Sequence, residues 1–201
     1  MVHGEIISFG DYNWRVLEVE TDRVFVIAED ISEQRWYHEK FEEVTWADCA
    51  LREYLNSEFY DGFSRNEKEK IIEVTCKNLD NPWFRTKGGK ATVDKIFLLS
   101  LEEVSKYFGD SKRKLHHKGK QTWLIDDKNN SKRQAKYEGE FHWWRLRSPG
   151  YYSRTAASVN SSGHIYVRGN GVHGSPKDSG GIRPALWLKL AEKSYSQSGL
   201  P

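Results

Sequence analysis

The sequence predicts an α+β fold. Short β-branched and aromatic runs bounded by turn residues lie near both ends of the chain, and helix-periodic stretches with start signals lie between them. The chain is also too aromatic to stay unfolded, with 8 Trp, 9 Phe and 10 Tyr among 201 residues. Charged residues make up 30% and apolar residues 37%. A folded chain of this length hides roughly 70% of the surface it exposes unfolded, enough for one sizeable core. A net charge of +2 excludes a globally basic nucleic-acid binder.

The first strands are read at Glu5-Ile6-Ile7-Ser8-Phe9, at Trp14-Arg15-Val16-Leu17-Glu18-Val19 after the turn Gly10-Asp11-Tyr12-Asn13, and at Val24-Phe25-Val26-Ile27-Ala28 after Thr21-Asp22. A meander follows from their spacing. Trp46, Ala50, Leu51, Tyr54 and Leu55 recur at three- and four-residue steps, which predicts a helix over 46–57. Ser64 and Glu67 make a capping box, hydroxyl and carboxylate serving the free amides of a helix start, and open a second helix over 65–74 through Ile71, Ile72 and Val74. Lys95-Ile96-Phe97-Leu98-Leu99 is an apolar strand candidate. Ser100 and Glu103 form another capping box for a helix over 101–108, closed by Gly109 where a left-handed residue is wanted.

Residues 111–136 change character: nine Lys or Arg stand between Lys112 and Lys136 against Asp126 and Asp127 alone. Clustered cations gain by releasing counterions from nucleic acid, yet such runs are usually solvated loops, and the loop is the expectation here. Trp123 is the residue in it suited to stack on a base. The last third departs again. After Phe141-His142-Trp143-Trp144, residues 151–180 hold six Ser, five Gly, three Tyr, two Asn, two His, two Arg and no Glu. Ala157, Val159, Ile165, Val167 and Val172 punctuate it as small anchors, and a strand follows through Gly181-Ile182-Arg183-Pro184-Ala185-Leu186-Trp187-Leu188-Lys189-Leu190.

No run approaches the ~20 apolar residues of a membrane helix, so membrane insertion is not expected. The opening MVHGEIISFG lacks a basic region followed by an apolar stretch, so no signal peptide is read. A cytoplasmic location follows as the expectation, with display on a surface or virion through a partner as the alternative. Cys49 and Cys76 form no CxxC pair and cannot build a zinc site alone; two reduced core thiols are expected, a disulfide being the other possibility.

The sequence carries no HExxH, P-loop, GxSxG or helix-opening GxGxxG, and Gly169-Asn170-Gly171 with Gly174 lacks the flanking strand–helix pattern. His164 and His173, with Asp178, are the residues from which a metal site would be assembled, though their spacing does not demand one. Cys49 beside Ala50 and Leu51 reads as a buried thiol rather than a nucleophile. The 151–178 stretch is more telling. Tyr gives large contact area at little entropic cost while Ser, Asn and Gly give adaptable hydrogen bonds, the palette antibody combining sites use. Tyr151, Tyr152, Arg154, Asn160, Ser162, His164, Tyr166, Arg168, Asn170 and His173 are the candidate ligand-binding residues; an ordinary Gly/Ser-rich surface loop has the same composition.

Phe9-Gly10 with Trp14-Arg15-Val16-Leu17-Glu18-Val19, then Thr45-Trp46-Ala47-Asp48-Cys49-Ala50-Leu51-Arg52-Glu53-Tyr54-Leu55-Asn56, then Lys95-Ile96-Phe97-Leu98-Leu99-Ser100-Leu101-Glu102-Glu103-Val104, resemble a widespread bacterial and phage domain family of unassigned function. The C-terminal signature is Trp143-Trp144-Arg145-Leu146-Arg147-Ser148-Pro149-Gly150 followed by Gly181-Ile182-Arg183-Pro184-Ala185-Leu186-Trp187-Leu188, and the resemblance spans roughly residues 4–190. That family resembles a branch of the C-type-lectin-like fold shared with formylglycine-generating enzymes, and is similar to the variable proteins of diversity-generating retroelements. In those, codons near the 3′ end are rewritten to Tyr, Asn, Ser, Asp, His, Arg and Gly on a fixed scaffold. The resemblance makes Ala157, Val159, Gly163 and Ile165 scaffold positions. Two departures stand out: Arg145 is inserted where the family runs Trp-Trp-Leu-Arg-Ser, and segment 111–136 is longer and more basic. There is no cysteine after Cys76, so the sulfatase-modifying activity is not carried over, and no Glu-Pro-Asn or Trp-Asn-Asp triplet supplies lectin-type calcium ligands.

The resemblance therefore implies one α+β domain over 1–190 of C-type-lectin-like architecture, with a basic loop insertion at about 111–136 and a tail at 191–201. The N-terminal strands and a strand at 182–190 share one sheet, against which the helices pack. The function it implies is non-catalytic recognition of a protein or glycan through the 151–178 surface, by a monomer without cofactor or metal. The alternatives are a nucleic-acid-binding accessory protein using 111–136, an enzyme on the same fold, or a structural phage or cell-surface component.

Overall fold

The computed structural model describes residues 1–110, 113–118, 123–126, 128–174 and 179–190. The expected tail at 191–201 lies outside them. In chain order the elements are β1 (Ile6–Phe9), β2 (Tyr12–Val19), β3 (Arg23–Ala28), β4 (Glu33–Gln34), a 3-10 turn at Trp46–Asp48, α1 (Ala50–Asn56), α2 (Glu58–Asp61) and α3 (Arg65–Lys68). Then come β5 (Ile71–Ile72), β6 (Val74–Cys76), β7 (Thr92–Asp94), α4 (Leu101–Phe108), a 3-10 turn at Lys114–His116, β8 (Leu124–Ile125), α5 (Asn130–Arg133), β9 (Ala135–Tyr137) and β10 (Glu140–His142). The chain ends with β11 (Trp144–Pro149), β12 (Thr155–Val159), β13 (Ile165–Gly171), β14 (Gly181–Ile182) and β15 (Ala185–Lys189).

Two sheets dominate this mixed α+β fold. The first has the order β1-β2-β3-β15-β5 and is antiparallel throughout, so the N-terminal meander and the last strand lie side by side as expected. The second has the order β4-β14-β11-β12-β13-β8, with β11 and β14 parallel. The strand read over 182–190 is split between them. Ile182 pairs with Glu33 in the second sheet, and from Ala185 the chain pairs with β3 in the first. Pro184, which cannot donate a ladder bond, stands at the crossing, and its carbonyl accepts from Ala28 N at 2.8 Å.

The apolar run at 95–99 is also a crossing segment rather than a strand. Phe97 exchanges backbone bonds with Ala185 in the first sheet, N to O at 3.0 Å and O to N at 2.8 Å, while Leu99 O accepts from Arg147 N in the second. Ile96, Phe97, Leu98 and Leu99 are all buried, which explains an uninterrupted apolar run without a ladder. A buried backbone must still be paired. The Asn56 side chain does this at one end, accepting from Lys95 N and donating to Ile96 O, both at 2.8 Å.

The predicted helix over 46–57 is a 3-10 turn followed by α1, broken at Cys49 in extended backbone. The Ser64–Glu67 box holds, Ser64 N donating to Glu67 at 2.8 Å, but α3 ends at Lys68. Ile71, Ile72 and Val74 are corrected to strand, because β15 offers Ile71 and Ile72 a sheet edge that helical propensity does not outweigh. Helix α4 matches its expectation: Ser100 and Glu103 cap each other at 2.8 and 3.1 Å, and Gly109 ends it with φ of +97°.

The two C-terminal signatures meet in the core. Trp144 pairs with Gly181, and the buried Arg183 guanidinium lies 5.2 Å from the Trp144 ring centre and 5.6 Å from that of Phe108. Burial pushes Arg183 down to about 10. The described residues of segment 111–136 are not simply the solvated loop expected. Leu115 and Ile125 are buried and β8 extends the second sheet. Arg133 is a strut with no exposure that donates to Gly109 O at 2.6 Å and Gly163 O at 3.1 Å. No helix among the described residues is long and apolar enough to cross a membrane.

Candidate functional site

The β12–β13 hairpin places the candidate residues. Ala157, Val159, Ile165 and Val167 are fully buried, whereas His164, Tyr166, Arg168 and Asn170 alternate with buried positions and keep some exposure. The hairpin turn uses Asn160 itself: its Oδ1 accepts from Ser162 N at 3.1 Å and His164 N at 2.9 Å. Gly163 follows with φ of +84°, and a Cβ there would strike the Asn130 carbonyl. Ser162 is thus an exposed turn residue, and His164 pairs with Asp126 at 3.3 Å. Both stand outside the cleft described next.

A bulge divides the rest. Ala156 pairs with Asn170 and Ser158 with Tyr166, so Val167, Arg168 and Gly169 together face Ala157 alone. Tyr166 and Asn170 line a cleft of about 520 Å³, with Asn160, His173, Leu124 and Trp143. Asn170 Nδ2 donates to Ser158 Oγ at 2.9 Å, and the His173 ring packs 4.2 Å from Trp36 with Nδ1 3.2 Å from His38 O. Arg168 goes instead to a rim, where its guanidinium lies 4.0 Å from the Trp123 ring centre and 5.4 Å from that of Tyr151. Tyr151 and Tyr152 touch edge to face at 4.3 Å, and Arg154 lies 5.5 Å from Tyr152 and 5.3 Å from Phe41. Of the ten candidates, then, four line the cleft, four build the rim, and Ser162 and His164 join neither.

Several supporting residues carry no local sequence signal. Arg145 is buried, donates to Ser179 O at 3.0 Å, Gly171 O at 3.1 Å and Arg35 O at 3.3 Å, and so gathers three segments around the cleft. Burial pushes it down to about 10. Behind the rim, Asn81 has no exposure: Nδ2 donates to Pro149 O and Val167 O, and Oδ1 accepts from Trp83 N and Phe84 N. Phe41 arrives from a segment over a hundred positions away.

A second depression of about 570 Å³ lies beside Arg35, His38 and Tyr54, and two of its polar side chains, Arg35 and Tyr54, engage each other. Arg35 covers the Tyr54 ring at 3.5 Å and the Tyr54 hydroxyl donates to Glu33. Cys49 and Cys76 are free and buried, and burial pushes each thiol up to about 12, so neither is primed for attack near neutral pH. Among the described residues no three His, Cys, Asp or Glu gather to hold a metal ion. His164 and His173 have separate partners, and Asp178 lies outside the described residues.

Residues 21–190 match the family model described as Domain of unknown function (DUF6273). The chain belongs to the DUF6273 family. No curated protein and no solved structure matches it. The DUF6273 match begins at the turn before β3 and takes in the second sheet, the cleft and the rim.

Proposed function

We propose that this DUF6273 protein recognises a protein or glycan ligand, without catalysis, through the cleft of β12–β13 and its rim. The observation that carries the reading is the partition of residues 151–173. Side chains of the adaptable palette, Tyr166, Asn170 and His173 in the cleft and Tyr151, Tyr152, Arg154 and Arg168 on the rim, stand over a fully buried layer of Ala157, Val159 and Ile165. Many are already held by neighbours, which lowers the ordering cost of binding. The same partition supports a variable protein of a diversity-generating retroelement, in which the upper layer is rewritten and the lower one is kept. The proposal includes a C-type-lectin-like architecture, which the pairing of the chain ends through β3 and β15 supports.

Glycan and random-peptide arrays probed with the labelled protein test the reading. Tyr166→Ala/Asn170→Ala removes the cleft wall without touching the buried layer. Array features bound by the native protein are expected to bind this variant at least tenfold more weakly, since a few central residues dominate such surfaces. Equal binding by the variant, or no bound feature, would count against the cleft.

A further inference from the structure

The rim carries a chemistry of its own. Lys118 lies 4.4 Å from the Phe84 ring centre, Phe84 meets Tyr151 at 4.6 Å, and Tyr151 contacts Arg168, which covers Trp123. In the other direction Tyr151 leads through Tyr152 and Arg154 to Phe41. Phe84, Tyr151 and Tyr152 thus form a run of rings, with Lys118, Arg168 and Arg154 set against it in one continuous set of contacts. Four of the rings are well exposed: Tyr151 at 40%, Tyr152 and Trp123 at 47% and Phe41 at 56%. Neither Arg154 nor Arg168 makes an ion pair or a side-chain hydrogen bond among the described residues, so the donor edges of both forks are open. The nearby acids in sequence are Glu39, Glu42 and Glu43 around Phe41, Asp126 after Trp123 and Asp80 before Phe84; Glu42 is engaged by His38 at 3.1 Å, Asp126 lies 3.3 Å from His164, and Asp80 pairs with Lys87 at 2.8 Å.

We infer that this rim binds single-stranded nucleic acid, bases stacking on the exposed rings and phosphates meeting Arg154, Arg168 and Lys118. A sulfated glycan would use the cations and leave the rings idle. A neutral glycan would use the rings and could accept hydrogen bonds from the forks, but would leave their positive charge unneutralised. A single strand presents flat bases and anions together, as the rim presents exposed rings and cations together. Trp123 and Lys118 come from the basic segment and Arg168 from the hairpin, so the site exists only once β8 has joined β13. The inference shares the rim with the reading above but not the cleft; its test leaves Tyr166, Asn170 and His173 intact and reads oligonucleotide binding, so its failure is distinguishable from loss of array binding by the cleft variant.

The test is fluorescence anisotropy of a labelled fifteen-nucleotide oligothymidylate against the full chain in increasing NaCl. With three phosphates neutralised, log K is expected to fall with log salt at a slope of about −2, from roughly −0.7 per contact on single strands. Arg154→Gln/Arg168→Gln should weaken binding at least tenfold and bring the slope to about −0.7. Trp123→Ala should weaken it roughly tenfold with the slope unchanged, because it removes a stacking face and no charge. Arg168→Lys, which keeps the charge but loses the planar stack, should keep the slope and lose affinity. Melting temperatures matched to the native protein establish that each variant is folded. Absence of oligonucleotide binding would overturn the inference. So would equal binding by Trp123→Ala, or displacement by heparin with the native slope in every variant, since either marks a general polyanion surface.

Discussion

Arg147→Met is expected to lower the unfolding free energy by about 3 kcal/mol, the lower end of the range for breaking a buried ion pair. Arg147 forms a two-pronged pair with Glu103, Nη2 to Oε1 at 2.9 Å and Nη1 to Oε2, and Nη1 also donates to Leu98 O. Glu103 uses the same carboxylate to cap α4 at Ser100 N, so one contact ties the crossing segment, the helix and β11 together. Methionine fills the volume, which keeps cavity formation out of the result. Glu103 retains 27% exposure and so keeps some water, which is why the lower end applies. Urea unfolding measures the change; a loss under 1 kcal/mol would mean that the pair merely offsets its desolvation.

Asn81→Leu is the second large effect, again about 3 kcal/mol or more. The leucine keeps the branched skeleton, though its methyls are bulkier and add some overpacking, and it strands Pro149 O, Val167 O, Trp83 N and Phe84 N, each buried group left unpaired costing about 1–3 kcal/mol before relaxation. This loss has a local signature. The loop carrying Phe84 backs Tyr151, and Thr86 Oγ1 donates to Tyr151 O at 2.8 Å. Amides of the 81–86 loop should therefore exchange faster while those of β3 and β15 keep their rank. Uniform acceleration across both sheets would place Asn81 in the general core rather than behind the rim.

The sequence is most legible where a short-range device decides the outcome. Ser100, Glu103 and Gly109 lie within ten residues of one another, and their helix follows from them alone. Ser64 and Glu67 correctly start a helix, but its end depends on β15, which is remote in sequence, and periodicity cannot tell a two-residue edge strand from another helical turn. The run at 95–99 announces burial but not partners; those are Ala185 on one side and Arg147 on the other. The candidate site shows the same division. Alternation and composition pick out the hairpin, whereas the bulge opposite Ala157, which sends Arg168 to Trp123 and leaves Tyr166 and Asn170 in the cleft, depends on pairing register. Composition cannot show that Asn160 is spent on its own turn, or that Arg145 is a buried brace.

Deep sequencing of this one gene across a population of its source tests the central claim, a recognition surface carried on a fixed layer. Substitutions are expected to concentrate at Tyr151, Tyr152, Arg154, Tyr166, Arg168, Asn170 and His173, with Ala157, Val159, Gly163, Ile165, Trp144 and Arg183 unchanged. A uniform gene, or substitutions spread evenly over exposed and buried positions of 151–173, would contradict it.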